Sequence, residues 1–177
     1  MDFEKKKSVE ALLSLIRLGV GNSSCLPFGN INWRAVRELA AEHALTAVLL
    51  DGIELLPEYL SPSKDYKLGL IGEVLQGYEY RYHQYCKEMA ELTHFYNMHG
   101  LKMMVLKGYS CALNWTKPEH RPCGDIDIWL FGKQKEADAV LAAGKGIKID
   151  ASEHHHTVFY WRGIMVENHY DFINVHR

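Results

Sequence analysis

The chain has 177 residues and a mass of 20.3 kDa, enough for one full domain or for a small domain with a helical appendage. With 47% hydrophobic and 24% charged residues, 14 Gly and 5 Pro, it is neither collagenous nor low in complexity. Its 20 basic against 22 acidic residues give a net charge of -2, which argues against a broad, non-specific nucleic-acid coat and leaves room only for a local basic patch.

No run reaches the ~18 consecutive apolar residues of a membrane span, so no membrane partner is expected. The most apolar stretch, residues 44–56, is interrupted by Asp51 and Glu54. The N-terminus carries Lys5, Lys6 and Lys7 but no small-residue cleavage site after a clean apolar core, and it reads as a helix. Cys25, Cys86, Cys111 and Cys123 form no C-x-x-C pair and no disulfide framework. Reduced thiols in a bacterial-type cytoplasm are the expectation.

The first hundred residues read as helical. Leu12, Leu13, Leu15, Ile16 and Leu18 support a helix over 10–18, stopped by Gly19 and Gly21. A second helix is predicted to start near Asn32 and to run through to residue 56, ended by Pro57 and by Ser61-Pro62-Ser63. Ile71, Leu75, Tyr78, Tyr82, Tyr85, Met89, Leu92 and Tyr96 alternate in steps of four and three, which places one stripe along a third, long helix. That stripe suits packing within a bundle, the lining of a pocket, or the seam of a homodimer through the 71–96 helix.

The pattern changes at Gly100. Residues 101–106 form a short apolar run that suits a buried strand, and 109–115 have the composition of a short helix. Residues 116–124 read as loop, 125–130 as a strand and 133–143 as a helix stopped by Gly144 and Gly146. Strand-like runs over 157–161 and 164–172 flank Arg162-Gly163, a hairpin turn. The fold class is therefore α+β: a helical region over 1–98 followed by a mixed β-sheet core with flanking helices over 99–177.

The sharpest chemical signal is Gly124-Asp125-Ile126-Asp127-Ile128. On a strand, Asp125 and Asp127 share one face while Ile126 and Ile128 take the other. Two adjacent carboxylates repel, an arrangement that makes sense around a divalent cation such as Mg²⁺ but also occurs on a plain solvated edge. Upstream, Leu106-Lys107-Gly108-Tyr109-Ser110 leads a strand through glycine into a helix, where free backbone N–H groups bind phosphate. Lys107 and Ser110 would add a charge and a hydroxyl. Downstream, Glu167, His169 and Asp171 share one face of the last strand, so a third carboxylate is available for a two-metal clamp. Arg121 stands just before the acidic strand, as a phosphate clamp or as a loop anchor.

Taken together, these motifs resemble the nucleotidyltransferase superfamily of DNA polymerase β-like folds. They are more closely similar to an uncharacterised bacterial nucleotidyltransferase family with an LKG…R…GDIDI…E-x-H pattern, carried here by residues 106–108, 121–128 and 166–169. The resemblance implies that Asp125, Asp127 and Glu167 are catalytic and hold two Mg²⁺ ions on a nucleoside triphosphate. It also implies nucleotide contacts from Lys107, Gly108, Ser110, Arg121 and Gly124. Transfer of a nucleoside monophosphate to an unknown acceptor hydroxyl, on a protein, a small molecule or an RNA, would follow. The superfamily usually has Gly-Gly or Gly-Ser after its first strand, whereas this chain has Lys-Gly followed by Tyr109. Its third acid is Glu where Asp is commoner, with Asp171 as a substitute on the same face.

Family members continue with further helices after the last strand, so a C-terminally shortened chain is implied. The competing reading is a non-catalytic binding module of the same fold, such as a toxin–antitoxin component. The run His154-His155-His156 adds a further alternative: with His169, His154 and His156 would bind zinc in a hydrolase, or line the acidic cleft without a metal.

Overall fold

A computed structural model describes residues 3–22, 27 and 29–171. The chain divides into two compact units. One takes the residues up to Arg81 together with Trp115–Pro122; the other takes Tyr82–Asn114 and the residues from Cys123 onward.

The first unit is helical. It comprises α1 (Phe3–Gly19), α2 (Trp33–Glu42), α3 (Thr46–Glu54) and α4 (Lys64–Val74), around a core of Leu12, Leu15, Val36, Ala40, Leu49, Ile53, Leu70 and Val74. Asn32 caps α2 by accepting the Ala35 N–H at 3.1 Å, and Ser63 caps α4 by accepting that of Tyr66 at 3.3 Å. Helices α1 and α3 cross at glycines. A Cβ on Gly52 would collide with the Leu15 carbonyl, and one on Gly19 with that of Val48.

The single helix expected over 32–56 is in fact two. Ala44 turns left-handed at φ 55° between α2 and α3. The Leu45 N–H then reaches back to the Ala40 carbonyl at 2.7 Å, and the Ala44 N–H to that of Ala41 at 3.1 Å. This is a Schellman closure with alanine where glycine is usual. The segment Trp115–Pro122 is tied into the same unit by His120. Its Nδ1 lies 2.8 Å from Asp51 Oδ2 and its Nε2 3.3 Å from Glu79 Oε1. Burial opposes the imidazolium, but the contacts to Asp51 and Glu79 outweigh it and raise the pKa above the ordinary 6.5.

The expected long helix is interrupted by a π-helical turn, Leu75–Glu79, after which α5 spans Tyr80–Met98. The extra residue in a π turn shifts the helical phase. Leu70 and Val74 are buried before it; Tyr85, Met89, Leu92 and Tyr96 are buried after it; Leu75, within the supposed stripe, is 49% exposed. Those four later residues sit in the chain's own core and form no free seam. Most of α5, from Tyr82 onward, belongs to the unit of the sheet, so the expected boundary near residue 98 lies within that unit.

The second unit carries a four-stranded sheet in the order β1-β2-β4-β3: β1 (Met104–Val105), β2 (Ile126–Trp129), β3 (His156–Trp161) and β4 (Ile164–His169). The β1–β2 and β3–β4 pairs are antiparallel, and β2–β4 is parallel. Two further helices, α6 (Lys107–Ala112) and α7 (Gln134–Lys145), complete the unit. Ile126, Ile128, Phe159, Trp161 and Val166 meet Tyr85, Met89, Leu92 and Tyr96 of α5 and Ala137 and Leu141 of α7 in one core. Asp138 of α7 accepts hydrogen bonds from Thr157 and Asn168, each at 2.9 Å, which fixes the helix to β3 and β4. Arg162 and Gly163, at φ 49° and 87°, make the hairpin turn. The chain is thus α+β, as its sequence indicates. The expected strand over 101–106 shortens to two residues. The last strand ends at His169, leaving Asp171 beyond it, and Phe172 lies outside the described residues.

Two opposite substitutions test the helical unit. Ala44→Gly relieves a left-handed alanine and should raise stability by about 0.5–1 kcal/mol. Gly52→Ala drives a methyl into the Leu15 backbone and should lower it by about 1–3 kcal/mol. Urea unfolding midpoints of the two variants measure both.

Candidate functional site

The strand–strand register builds the site. Ile126 and Ile128 are buried on one face of β2, so Asp127 points from the other. The parallel pairing sets Asp127 directly beside Glu167 and Trp129 beside His169. The antiparallel pairing sets His156 opposite His169. The entry to β2 is held by the Tyr85 hydroxyl, which donates to the Gly124 carbonyl at 2.9 Å. The Leu106 N–H donates to the Asp127 carbonyl at 2.8 Å, so the chain enters α6 alongside Asp127. At that point Lys107 takes a φ of 33°, a left-handed conformation that favours glycine.

Asp127 is 5% exposed. Its Oδ1 accepts from Lys107 Nζ at 2.9 Å and from His169 Nε2 at 2.8 Å. The His169 hydrogen bond, followed by that of Lys107, overrides desolvation and pulls its pKa from 3.8 down to about 2. The same contact raises the pKa of Lys107. Asp125, Asp127 and Glu167 each present a carboxylate oxygen, all within 4.8 Å of one another. His156, Glu167 and His169 form a second such group.

The structure therefore brings together six residues singled out from the sequence: Lys107, Asp125, Asp127, His156, Glu167 and His169. Gly108 and Ser110 follow within α6, where the Ser110 hydroxyl donates to the Lys107 carbonyl at 2.8 Å. Gly124 is exposed at the start of β2. Arg121 belongs to the other unit, where its Nη1 donates to the Pro122 carbonyl at 3.3 Å. His154 is exposed and two residues short of β3, so it does not share a strand face with His156 as expected. Asp171 is exposed and off the strand, so it does not stand beside Glu167 as a substitute. Sequence reasoning missed the Lys107–Asp127 pair and the role of Tyr85. Twenty and thirty-nine residues separate the partners, and no local pattern announces either contact.

A mixed sheet with one acid on a strand, a second just before that strand, a third on its parallel neighbour and helices against the sheet is an α+β architecture of nucleotidyltransferase type. Residues 29–177 match the family described as uncharacterised nucleotidyltransferase, and the chain belongs to that family. No curated protein and no solved structure matches the chain. No described helix is long and apolar enough to cross a membrane.

The depressed pKa of Asp127 has a sign. Its ionised form is favoured in the folded state, so the stability it contributes is present above pH 3.8 and fades as the pH falls towards 2. Asp127→Asn should cost about 1–3 kcal/mol at pH 7. Denaturant midpoints of both proteins, followed from neutral pH downwards, should converge across that acid window.

Proposed function

We propose that the chain is a Mg²⁺-dependent nucleotidyltransferase that moves a nucleoside monophosphate from a nucleoside triphosphate to an acceptor hydroxyl. One observation carries this reading: three carboxylates converge within 4.8 Å of one another, and the buried one already recruits two nitrogen donors. A donor set of hard carboxylate oxygens fits Mg²⁺, which takes one or two carboxylates together with substrate phosphates. Asp125, Asp127 and Glu167 would hold the ions, which neutralise phosphate charge and polarise the group transferred.

The chain's own groups do the rest. Glu167 of β4 takes the proton of the attacking hydroxyl. The acceptor oxygen then bonds to the α-phosphorus, the bond to the β-phosphate oxygen breaks, and pyrophosphate leaves with that electron pair. Lys107, which donates to Asp127 Oδ1 in the free protein, would turn to the triphosphate when Asp127 holds an ion. Gly108, Ser110 and Gly124 border it. Positioning and electrostatics account for most of the acceleration in such a site. The acceptor is a protein side chain, a small molecule or an RNA. A cytoplasmic setting, where nucleoside triphosphates are supplied, goes with this reading.

A second reading rests on the same Lys107 contact. A permanent Lys107–Asp127 pair would leave the acid group closed to metal and make the chain a binding module. The two readings part in a melting experiment with ATP, GTP, CTP and UTP, each with and without Mg²⁺. A ligand of the folded state at about 100 times its Kd stabilises by about 2.7 kcal/mol. The enzyme reading expects a Mg²⁺-dependent rise in Tm with at least one nucleotide, abolished in Asp125→Ala/Asp127→Ala. No rise with any nucleotide overturns it in favour of the binding module.

A further inference from the structure

Beside the three-acid group, the sheet assembles a set of donors of different chemistry. His156 and His169 are directly opposed across the antiparallel β3–β4 pair, so their side chains stand on one face. Glu167 lies two residues before His169 on that same face. The three side chains are largely hidden, at 19%, 12% and 20% exposure respectively for His156, His169 and Glu167. The two imidazole rings are 5.2 Å apart, tilted by 50°.

The ring of His156 makes no hydrogen bond among the described residues. Its Nε2 stands 3.8 Å from Glu167 Oε1, beyond hydrogen-bond range. The other carboxylate oxygen, Oε2, lies 3.3 Å from His169 Nε2. One half-buried carboxylate thus turns an oxygen to each of two imidazoles, and the His156 ring makes no hydrogen bond of its own among the described residues.

Such a set is the donor chemistry of a borderline divalent ion. Zinc bonds to imidazole nitrogen and carboxylate oxygen at about 2.0–2.2 Å, which sets neighbouring ligand atoms about 3.3 Å apart in a tetrahedron. His169 Nε2 lies 3.3 Å from one oxygen of Glu167 and His156 Nε2 lies 3.8 Å from the other. One ligand atom from each of the three residues lies within 4.8 Å of the other two, so closing on one ion needs small side-chain rotations. Two histidines and one carboxylate leave further positions open to water or substrate.

We propose that His156, Glu167 and His169 form a second cation site, selective for a zinc-class divalent ion over Mg²⁺ and joined to the acid group through the shared carboxylate of Glu167. Mg²⁺ prefers oxygen ligands, whereas imidazole suits zinc, cobalt and nickel. The two sites of one face therefore differ in the metal they accept. His154, exposed and outside β3, has no part in it.

Co²⁺ is the probe, because its visible absorption reports coordination directly. The full chain, without a histidine tag, is titrated with Co²⁺ in the presence of excess Mg²⁺. The expected result is saturable binding of one Co²⁺, displaced by Zn²⁺ and not by Mg²⁺. His156→Ala and His169→Ala should each weaken it by more than ~10-fold, since even outer-shell partners of a metal are worth that much. Asp125→Asn should leave Co²⁺ binding in place. His156→Gln, which keeps size and polarity, repeats the test should the alanine variant fail to fold. Absence of a saturable absorption change in the wild-type chain, full displacement by Mg²⁺, or undiminished binding in the folded His156 variant would overturn the proposal. The Mg²⁺-dependent nucleotide shift is measured separately on His156→Ala, where it should persist. Loss of cobalt binding and loss of nucleotide binding are therefore told apart.

Discussion

The parallel pairing of β2 with β4 is the constraint on which the site depends. It sets Asp127 against Glu167 and buries Ile126, Ile128 and Val166 behind them. A slip of one residue would turn the acids into the core and the isoleucines into solvent, so the apolar face fixes the register as firmly as the hydrogen bonds do. The result is a carboxylate, Asp127, held at 5% exposure beside a second acid. A charge so placed is costly unless it is paired. Lys107 and His169 meet that need from two sides, one delivered by the start of α6 and the other by the end of β4.

The placement of Lys107 shows how local strain and electrostatics are combined. A lysine at φ 33° gives up about 1–2 kcal/mol relative to ordinary backbone. A glycine would relieve that strain but would leave Asp127 with His169 alone. The Lys-Gly pair thus exchanges backbone ease for a counter-charge at the buried acid. The departure from a two-glycine turn follows from the charge that the turn must face.

What could be read from the sequence follows from which interactions are local. Alternation made Asp125 and Asp127 legible as a pair, and the same period put Glu167 and His169 on one face. Glycine and the Arg162-Gly163 turn marked the hairpin. The break at Ala44 was not legible, because alanine is a good helix former and its left-handed turn is imposed by helix packing and not by its own preference. The π turn at Leu75–Glu79 was hidden for a similar reason: the three-and-four spacing runs through it unbroken, and only burial shows that the phase has shifted. His154 and Asp171 were misplaced by extending strands beyond their last paired residues. A strand ends where its neighbour stops pairing, and a single sequence does not contain that neighbour.

On the function proposed above, charge counting explains why two divalent ions and a nucleotide would belong to one state of this site. Asp125, Asp127 and Glu167 bring three negative charges, and Lys107 returns one positive. The carboxylates and the lysine together leave about two net negative charges, which one divalent ion balances. A second ion alone would leave an excess of positive charge on a partly buried surface, an unfavourable state in a low dielectric. The polyanionic triphosphate removes that excess and gives the lysine ammonium an alternative partner. Under that proposal, occupancy by the second ion and by the nucleotide would be linked, each raising the affinity for the other by the same factor. The cation site proposed at His156 and His169 would extend the same logic to an ion of softer character, because imidazole ligands add no negative charge to a face that already carries three carboxylates.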